Sequence, residues 1–230
     1  MSVEIKREIQ TRGITRLCHF TQSRNLVHIA NDSEGLKSTQ ALETDQNACF
    51  TATDSQRIDG YTDHICCSVE YPNAWYLARA EAKEILFKDW VILLISPRHL
   101  WNPDTRFCAR NAAASGGALI VKSLAGFLTL FAAQVDGAGG RTWHRGNTHL
   151  SCSPTDDQAE VLVKAKIPKS DILGVGVKDE KQAKNEIVRL KHAGIPDGAF
   201  QFVIAPALFD KYALANAIRT GKRPEEMRYP

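Results

Sequence analysis

Short apolar runs alternate with polar, helix-forming stretches along the chain. Six runs have the length and the content of β-branched and aromatic residues that favour strands; they lie at 14–20, 63–71, 90–96, 161–167, 172–177 and 200–204. The run at 90–96 is continuously apolar and stops before Pro97, which predicts a strand buried on both faces. Many strands with few regular βαβ units indicate the α+β class.

The stretches between these runs predict helices. Asn73 is a good N-cap for the helix formers that follow it, and Gly194 is typical of a helix end. The expected helices are a short one through Leu26 and Ile29 capped by Thr21 or Ser23, then 74–87, 180–192, and an amphipathic one at 207–220 with Leu208, Tyr212 and Ala215 on one face.

Three segments have no clear periodicity. Residues 1–13 are charged and are expected to form an exposed lead-in, 37–63 are polar and loop-like with a turn at 57–60, and the charged tail after Gly221 is expected to be loose. The apolar segment 112–133 is interrupted by Gly116-Gly117 and by Lys122, so it predicts one or two buried helices rather than a membrane span.

Length and composition fit one large domain, 1–230, or two small ones, and we expect a cytoplasmic protein. The 230 residues are enough to bury a core, and no basic segment followed by an apolar run marks a secretory signal at the start. The six cysteines show no framework spacing, which is typical of reduced thiols in a cytosolic protein. No Cys-x-x-Cys pair occurs, and no acidic or thiol ligand completes a set with His144 and His149, so no metal site is expected.

The segment 98–149 is more basic than its surroundings. It holds six basic residues against two acidic ones, a net +4, whereas the whole chain has +3. Trp143 and His144 lie between Arg141 and Arg145, and glycines at 137, 139 and 140 favour flexibility. Arginines interleaved with flat rings can hold a phosphate backbone and stack a base. An ordinary solvated loop is the alternative interpretation of this segment.

Glu160 is the one carboxylate at the start of the apolar run 161–167. A polar, turn-like stretch at 153–157 precedes it, and alternation places it on one strand face with Gln158 and Leu162. A lone glutamate in a strand is most often a solvated or edge residue. The pattern alone therefore leaves both a structural and a catalytic interpretation open.

Four segments taken in order resemble the motifs of the DarT-type DNA ADP-ribosyltransferases. Together they extend from about residue 14 to residue 175, and although each is weak alone, their order is fairly specific. The segments are Leu17-Cys18-His19-Phe20-Thr21 with Asn25-Leu26, Arg57-Ile58-Asp59-Gly60 with 67–73, 90–97 with Phe107 and 111–113, and 154–163 with Glu160.

The resemblance implies an ADP-ribosyltransferase-like fold with a split β-sheet and surrounding helices. It implies a toxin that takes NAD+ as co-substrate, attaches ADP-ribose to a base in single-stranded DNA and releases nicotinamide. It also implies a macrodomain antitoxin, DarG-like, that removes the modification. The segment 69–73 differs from that of the thymine-modifying branch, which leaves guanine or thymine as the modified base.

The resemblance also implies roles for individual residues. Glu160 is the expected catalytic carboxylate, because a fixed negative charge stabilises the positive charge that builds on the ribose. Arg57 is expected to assist by orienting a phosphate or stabilising a base anion, since a guanidinium is a poor base. The expected NAD+ contacts are His19, Thr21, Asn25, Ser68 and Tyr71. The expected DNA contacts, in a substrate-binding region at 98–149, are Arg110, Arg141, Trp143, His144 and Arg145.

Two other classes of function stay open on the sequence. One is an ADP-ribosyltransferase of the same fold that modifies protein or RNA. The other is a non-catalytic nucleic-acid-binding module in which the basic segment is the function and Glu160 is incidental.

Overall fold

A computed structural model describes residues 2–45, 57–137 and 140–230. Its strands are β1 Leu17–Gln22, β2 Leu36–Lys37, β3 His64–Val69, β4 Trp90–Ile95, β5 Arg106–Cys108, β6 Val121–Lys122, β7 Gln134–Asp136, β8 Thr142–His144, β9 Glu160–Lys164, β10 Lys166–Ile167, β11 Ile172–Val177, β12 Phe202–Ile204 and β13 Met227–Arg228. Its α-helices are α1 Ser2–Arg12, α2 Asn25–Asn31, α3 Thr39–Thr44, α4 Ala74–Lys83, α5 Ser123–Thr129, α6 Glu180–His192 and α7 Lys211–Arg219.

Nine of these strands form one sheet in the order β13-β12-β11-β4-β1-β3-β9-β5-β6. Neighbouring strands are antiparallel except β11 and β12, which are parallel and joined through α6. Short pairs β2–β10 and β7–β8 lie outside this sheet. The mixed fold with a large sheet and surrounding helices confirms the α+β class.

The sheet core forms where the sequence is most apolar. All six residues of β4 are buried, as the continuous run predicts, and β4 lies between β1 and β11. The expected N-cap is also present, because the Asn73 side chain accepts a hydrogen bond from the Tyr76 amide at the start of α4. Helix α6 occupies the expected 180–192 and ends before Gly194, whose φ is 76°.

The sheet is split between β1 and β3. The pairs that join these strands are Leu17–Val69 and Cys18–Ser68, whereas β1 pairs with β4 along its whole length. Beyond Cys18 the two strands part, and the ring of His19 crosses the gap with its Nδ1 2.8 Å from the Cys66 carbonyl oxygen. This split divides the sheet into a half built on β4 and a half built on β9.

Three segments differ in whole or in part from their expected form. Residues 2–12 form a helix instead of a lead-in, because Ile5 and Ile9 lie one turn apart and are both buried. The segment 112–133 contains one of the one or two expected helices, the short α5 with Gly126 and Phe127 buried. A 3₁₀ turn at Ala112–Ser115 and strand β6 precede it, and the expected break is present at Gly116, whose φ is 54°. Within 37–63, helix α3 forms at 39–44, the turn at 57–60 is present, and 46–56 lie outside the described residues.

The C-terminal segment also departs from its predicted form. The apolar stretch divides at Asp210, whose side chain accepts hydrogen bonds from the amides of Tyr212 and Ala213 and so begins α7. Ala215 is buried, but Tyr212 is 68% exposed and does not share the core face. The tail is held in place, because β13 pairs with β12 and Glu226 forms an ion pair with Arg16.

Glu70 fixes this tail to the end of β3. It is 1% exposed and has a φ of 62°, a conformation that costs free energy in a non-glycine residue. Its carboxylate accepts hydrogen bonds from the Thr15 amide at 2.6 Å, the Thr15 hydroxyl at 2.9 Å and the Arg223 guanidinium at 2.9 Å. The same residue therefore joins the start of β1, the end of β3 and the C-terminal segment.

No helix among the described residues is long and apolar enough to cross a membrane.

Replacement of Glu70 by alanine tests this junction. We expect Glu70→Ala to lower the free energy of unfolding by about 2 kcal/mol or more, because the Thr15 and Arg223 donors lose a buried, charged acceptor. Urea unfolding measures the change. Glu225→Ala, an exposed acid on the same tail, is the matched control and is expected to change stability by less than about 0.5 kcal/mol. Equal stability of both variants would contradict this role of Glu70.

Candidate functional site

Glu160 is the first residue of β9, next to the split. Strand β9 pairs with β3 on one side and with β5 on the other, and Glu160 itself lies opposite Cys108. The side chain is half-buried and shares its face with Leu162, as the alternation predicts. Gln158 lies in the turn before the strand, where its backbone N–H donates to the Asp156 carboxylate at 2.9 Å. Two paired neighbours thus hold the Glu160 backbone at a fixed position.

Asp59 and Cys66 surround the Glu160 carboxylate. The nearest polar atoms of these three side chains all lie within 4.8 Å of one another. The Cys66 thiol is 3.8 Å from Oδ2 of Asp59 and also hydrogen-bonds to Glu160, while the Ala112 amide donates to Glu160 from the loop above. The carboxylate is therefore oriented by a thiol and a backbone N–H.

These surroundings change the acidity of Glu160. Burial raises the pKa of its carboxyl to about 7, and the negative charge of Asp59 acts in the same direction. The Ala112 amide, the Cys66 thiol and the Arg57 guanidinium favour the ionised form and partly oppose this pKa shift. Near neutral pH the group therefore exchanges between the carboxylate and the carboxylic acid.

The same three side chains contain donor atoms that a metal ion could use. Coordination by cysteine requires a thiolate. Burial and the nearby Glu160 charge raise the pKa of the Cys66 thiol well above its usual range, which favours the protonated thiol. In this protonated form the thiol is a hydrogen-bond donor to the neighbouring acids.

Arg57 lies on the far side of Asp59 and is only 8% exposed at its side chain. Its Nε and Nη2 donate to the two Asp59 carboxylate oxygens at 3.2 Å each, and Nη1 donates to the His64 carbonyl at 2.8 Å. The Tyr61 carbonyl accepts a further hydrogen bond. The structure thus brings Arg57 close to Glu160, with its guanidinium directed at Asp59 and the turn 57–64.

His19 projects from β1 into the split. Because a carbonyl oxygen accepts only, its contact with Cys66 places the proton on Nδ1 and leaves Nε2 as an acceptor in the neutral ring. Burial lowers the pKa of the imidazole, and the Arg57 charge adds to this effect, so the neutral form is favoured. The ring can therefore accept a hydrogen bond from a hydroxyl group in the split.

Thr21 and Asn25 lie at the end of β1 and the start of α2. The Asn25 side-chain amide donates to the Thr21 hydroxyl at 2.9 Å, which leaves the Thr21 proton available to another acceptor. The structure therefore brings His19, Thr21 and Asn25 together along one short segment, as the sequence predicts.

Ser68 lies on β3, and Tyr71 follows just beyond the end of this strand. Both are buried and line a small cavity beneath α7, together with Asp156 and Trp75. Burial raises the pKa of the Tyr71 hydroxyl, which hydrogen-bonds to Cys152. This burial favours a role for Tyr71 in packing the end of β3, and nicotinamide contact by either residue stays a prediction.

Part of the basic segment forms a concave surface beside this site. Arg110, Arg141 and Thr142 line a depression of about 460 Å³ between the loop after β5 and the β7–β8 hairpin. Arg110 also donates to the Asp136 carbonyl at 2.9 Å. Trp143 and His144 lie on β8, and the guanidinium of Arg219 lies 4.9 Å from the centre of the Trp143 ring. Residues 138 and 139, in the glycine-rich part, lie outside the described residues.

Arg145 differs from this expected surface. Its guanidinium points inward, where it donates to the carbonyls of Ser153 at 2.8 Å and Leu150 at 2.7 Å, and it lies over the Phe131 ring. Burial lowers the pKa of this arginine. These bonds direct the half-buried guanidinium to the turn that leads to Glu160, and contact of Arg145 with DNA stays a prediction.

Sequence reasoning missed three groups at this site. Asp59 and Cys66 carry no pattern of their own, and only the register of β3 against β9 brings Cys66 beside Glu160. The Ala112 amide is a backbone donor, which residue type cannot reveal. For Asp59 and Ala112, the only signal in the sequence was the resemblance of 57–60 and 111–113 to the DarT-type motifs.

Comparison with known proteins agrees with this geometry. Residues 18–209 match a family model described as DarT, ssDNA thymidine ADP-ribosyltransferase. No curated protein sequence matches the chain.

Solved DarT structures share the fold at low sequence identity. Thermus sp. 2.9 DarT in complex with NAD+ matches with a TM-score of 0.54 and 15% identity over 85% of this chain and 98% of that one. The same protein in complex with ADP-ribosylated ssDNA matches with a TM-score of 0.58 and 14% identity over 86% and 97%. Thermosipho africanus DarTG in complex with ADP-ribose matches with a TM-score of 0.53 and 14% identity. This match covers 85% of this chain and 51% of that one.

The family model covers most of the chain, and the fold agrees with it across the split sheet. The protein therefore belongs to the DarT family of NAD+-dependent ADP-ribosyltransferases that act on single-stranded DNA.

Proposed function

We propose that this protein transfers ADP-ribose from NAD+ to thymine in single-stranded DNA, with Glu160 as the catalytic carboxylate. The observation that supports this most is the position of Glu160, a half-buried acid fixed by two paired strands beside the split of the sheet. The choice of thymine rests on the description of the family model, which names thymidine. Guanine is the alternative base.

The first step breaks the bond between nicotinamide and ribose. Nicotinamide leaves with the electron pair, and positive charge builds on the ribose. In NAD+ the positive charge lies on the nicotinamide ring, and it moves to the ribose as the bond breaks. The ionised Glu160 stabilises the charge on the ribose more than it stabilises the ground state, which lowers the barrier. Because the site is partly shielded from water, this attraction is stronger than it would be on the surface.

The other residues of the split hold NAD+. His19 accepts a hydrogen bond at Nε2 from a ribose hydroxyl, and Thr21 donates its proton to a second polar group of the dinucleotide. Ser68 and Tyr71 shape the end of β3 on the nicotinamide side. These contacts hold the ribose in reach of Glu160, which reduces the entropic cost of the reaction.

The second step joins a nitrogen of the base to the ribose carbon. A ring nitrogen of thymine carries a proton that must leave as the new bond forms. Glu160 has a pKa near neutrality and can accept that proton after the ribose charge is discharged. Arg57 acts through Asp59, which it holds beside Glu160, and its charge stabilises the developing anion.

Single-stranded DNA approaches over the surface formed by Arg110, Arg141, Trp143 and His144. The arginines attract phosphates, and Trp143 offers a flat ring for a base.

We propose that in the cell this protein is a toxin that blocks replication by modifying DNA. A macrodomain antitoxin (DarG-like) is the proposed partner, in line with the DarTG architecture of Thermosipho africanus.

Mass spectrometry of nucleosides tests the reaction and its base. Wild-type protein incubated with NAD+ and a mixed-sequence single-stranded oligonucleotide is expected to yield ADP-ribosyl-thymidine. Glu160→Gln keeps the size of the side chain and removes the charge, so we expect the rate to fall by about 10²–10³.

Glu225→Gln is the matched control, because this exposed acid lies on the C-terminal tail away from the split. Thermal unfolding checks that both variants are folded. A rate above about a tenth of wild type for Glu160→Gln would overturn the catalytic role. ADP-ribosyl-guanosine as the product would overturn thymine, and transfer to RNA or protein alone would overturn DNA as the acceptor.

Two arginines of the basic segment are expected to respond differently to alanine substitution. Arg141→Ala should weaken oligonucleotide binding and reduce its salt dependence, because one phosphate contact is lost. Arg145→Ala should instead lower the free energy of unfolding by about 2 kcal/mol, since the Leu150 and Ser153 carbonyls lose their donor.

Fluorescence anisotropy at several salt concentrations and urea unfolding measure the two effects. Lys181→Ala, an exposed cation on α6, is the control for net charge. Unchanged affinity for Arg141→Ala, or a loss of the same size in the Lys181→Ala control, would contradict a specific role for the β7–β8 surface.

A further inference from the structure

Three side chains form a partly exposed aromatic cluster where α4 and α7 meet. We name Trp75, Lys211 and Tyr212 the α4–α7 aromatic cluster. The rings of Trp75 and Tyr212 contact edge to face, with centres 5.4 Å apart, and Nζ of Lys211 lies 4.8 Å from the first ring and 5.1 Å from the second. Such rings and cations attract each other.

Core packing does not account for this cluster. The buried face of α7 is made by Leu214, Ala215 and Ile218, whereas Tyr212 is 68% exposed. A large exposed aromatic ring beside a lysine contributes little to the stability of the helix. It does offer a flat apolar surface with a positive charge next to it.

The cluster borders the turn that leads to Glu160. A small cavity beneath it is lined by Trp75 and Lys211 on one side and by Asp156, Asp157 and Ala159 on the other. Glu160 follows Ala159 directly, so the cavity beneath the cluster is lined by the segment that leads into Glu160.

A second aromatic–cation contact lies at the other end of α7. Arg219 stacks on Trp143 and also forms an ion pair with Asp157 at 2.6 Å. Lys211 and Arg219 are eight residues apart, which corresponds to about 12 Å along the helix. The turn before Glu160 is thus bordered by one aromatic–cation contact on each side.

We infer that the α4–α7 aromatic cluster is a second binding surface for single-stranded DNA, used by nucleotides that flank the modified base. The inference rests on the proposed function, since it assigns a further part of the same acceptor strand. A strand held at the β7–β8 surface crosses the turn before Glu160 and reaches Tyr212 within a few nucleotides. One base stacks on Tyr212, and Lys211 faces a phosphate.

The charges around the cluster favour a strand held mainly by stacking. Asp210 lies next to Lys211 but its carboxylate accepts the amides at the start of α7, and Asp157 is paired with Arg219. These acids reduce the local positive charge. We therefore expect the aromatic ring to contribute more to affinity than the lysine.

The length dependence of DNA affinity tests this assignment. A short oligonucleotide that contains the target base and its immediate neighbours is compared with a longer one that extends on both sides. Wild-type protein is expected to bind the longer strand more tightly by about fivefold or more, the effect of one stacked base. Tyr212→Ala should lose most of this gain, and Lys211→Ala a smaller part.

Val188→Ala, an exposed apolar residue on α6, is the matched control and should keep the gain in full. Tyr212→Ala with an undiminished gain, or a wild-type protein without any gain, would overturn the inference. A loss of equal size on the short and long strands would also overturn it, because that pattern indicates a general structural effect. If the wild-type protein modifies no DNA at all, the proposed function fails; if it modifies DNA while Tyr212→Ala keeps the gain, only this inference fails.

Discussion

The rest of the site depends on the environment of the Glu160 carboxylate. This group lies close to the Asp59 carboxylate and the Cys66 thiol and is partly shielded from water. An isolated buried acid would simply take up a proton. Here the Ala112 amide and the Cys66 thiol stabilise the ionised form, while Asp59 opposes it. The balance leaves the group able to ionise near neutral pH. The proposed role of Glu160 requires this, because the residue first carries a negative charge and then accepts a proton.

That balance requires the split of the sheet. If β1 and β3 stayed paired along their whole length, the His19 ring could not lie between them. The carbonyl of Cys66 faces His19 while its thiol faces Asp59 and Glu160, so one residue of β3 contacts both parts of the site. Glu70, just after the same strand, connects β3 to Thr15 and to the C-terminal tail. These hydrogen bonds fix the ends of β1 and β3 at the point where the two strands are still paired.

Local sequence patterns predicted those parts of the fold whose physics is local. The continuous run of β4, the cap at Asn73 and the end of α6 before Gly194 follow from burial, capping and turn preferences, and all are present. The helix at 2–12 was missed because its two core residues, Ile5 and Ile9, are few among many charges. The position of Tyr212 and the fixed tail depend on contacts between distant segments, which no local pattern encodes. Likewise, Arg145 looks like a surface cation in sequence, and only the carbonyls of the turn 150–153 turn it inward.

The pH dependence of kcat/KM for NAD+ tests most directly whether the ionised Glu160 drives the reaction. The raised pKa means that the carboxyl is mostly protonated below about 7, so kcat/KM should fall roughly tenfold for each pH unit below that value. Asp59→Asn removes a neighbouring negative charge, lowers the pKa of Glu160 and should move the fall to lower pH. A profile that is flat through neutrality, or one that Asp59→Asn moves to higher pH, would contradict this account.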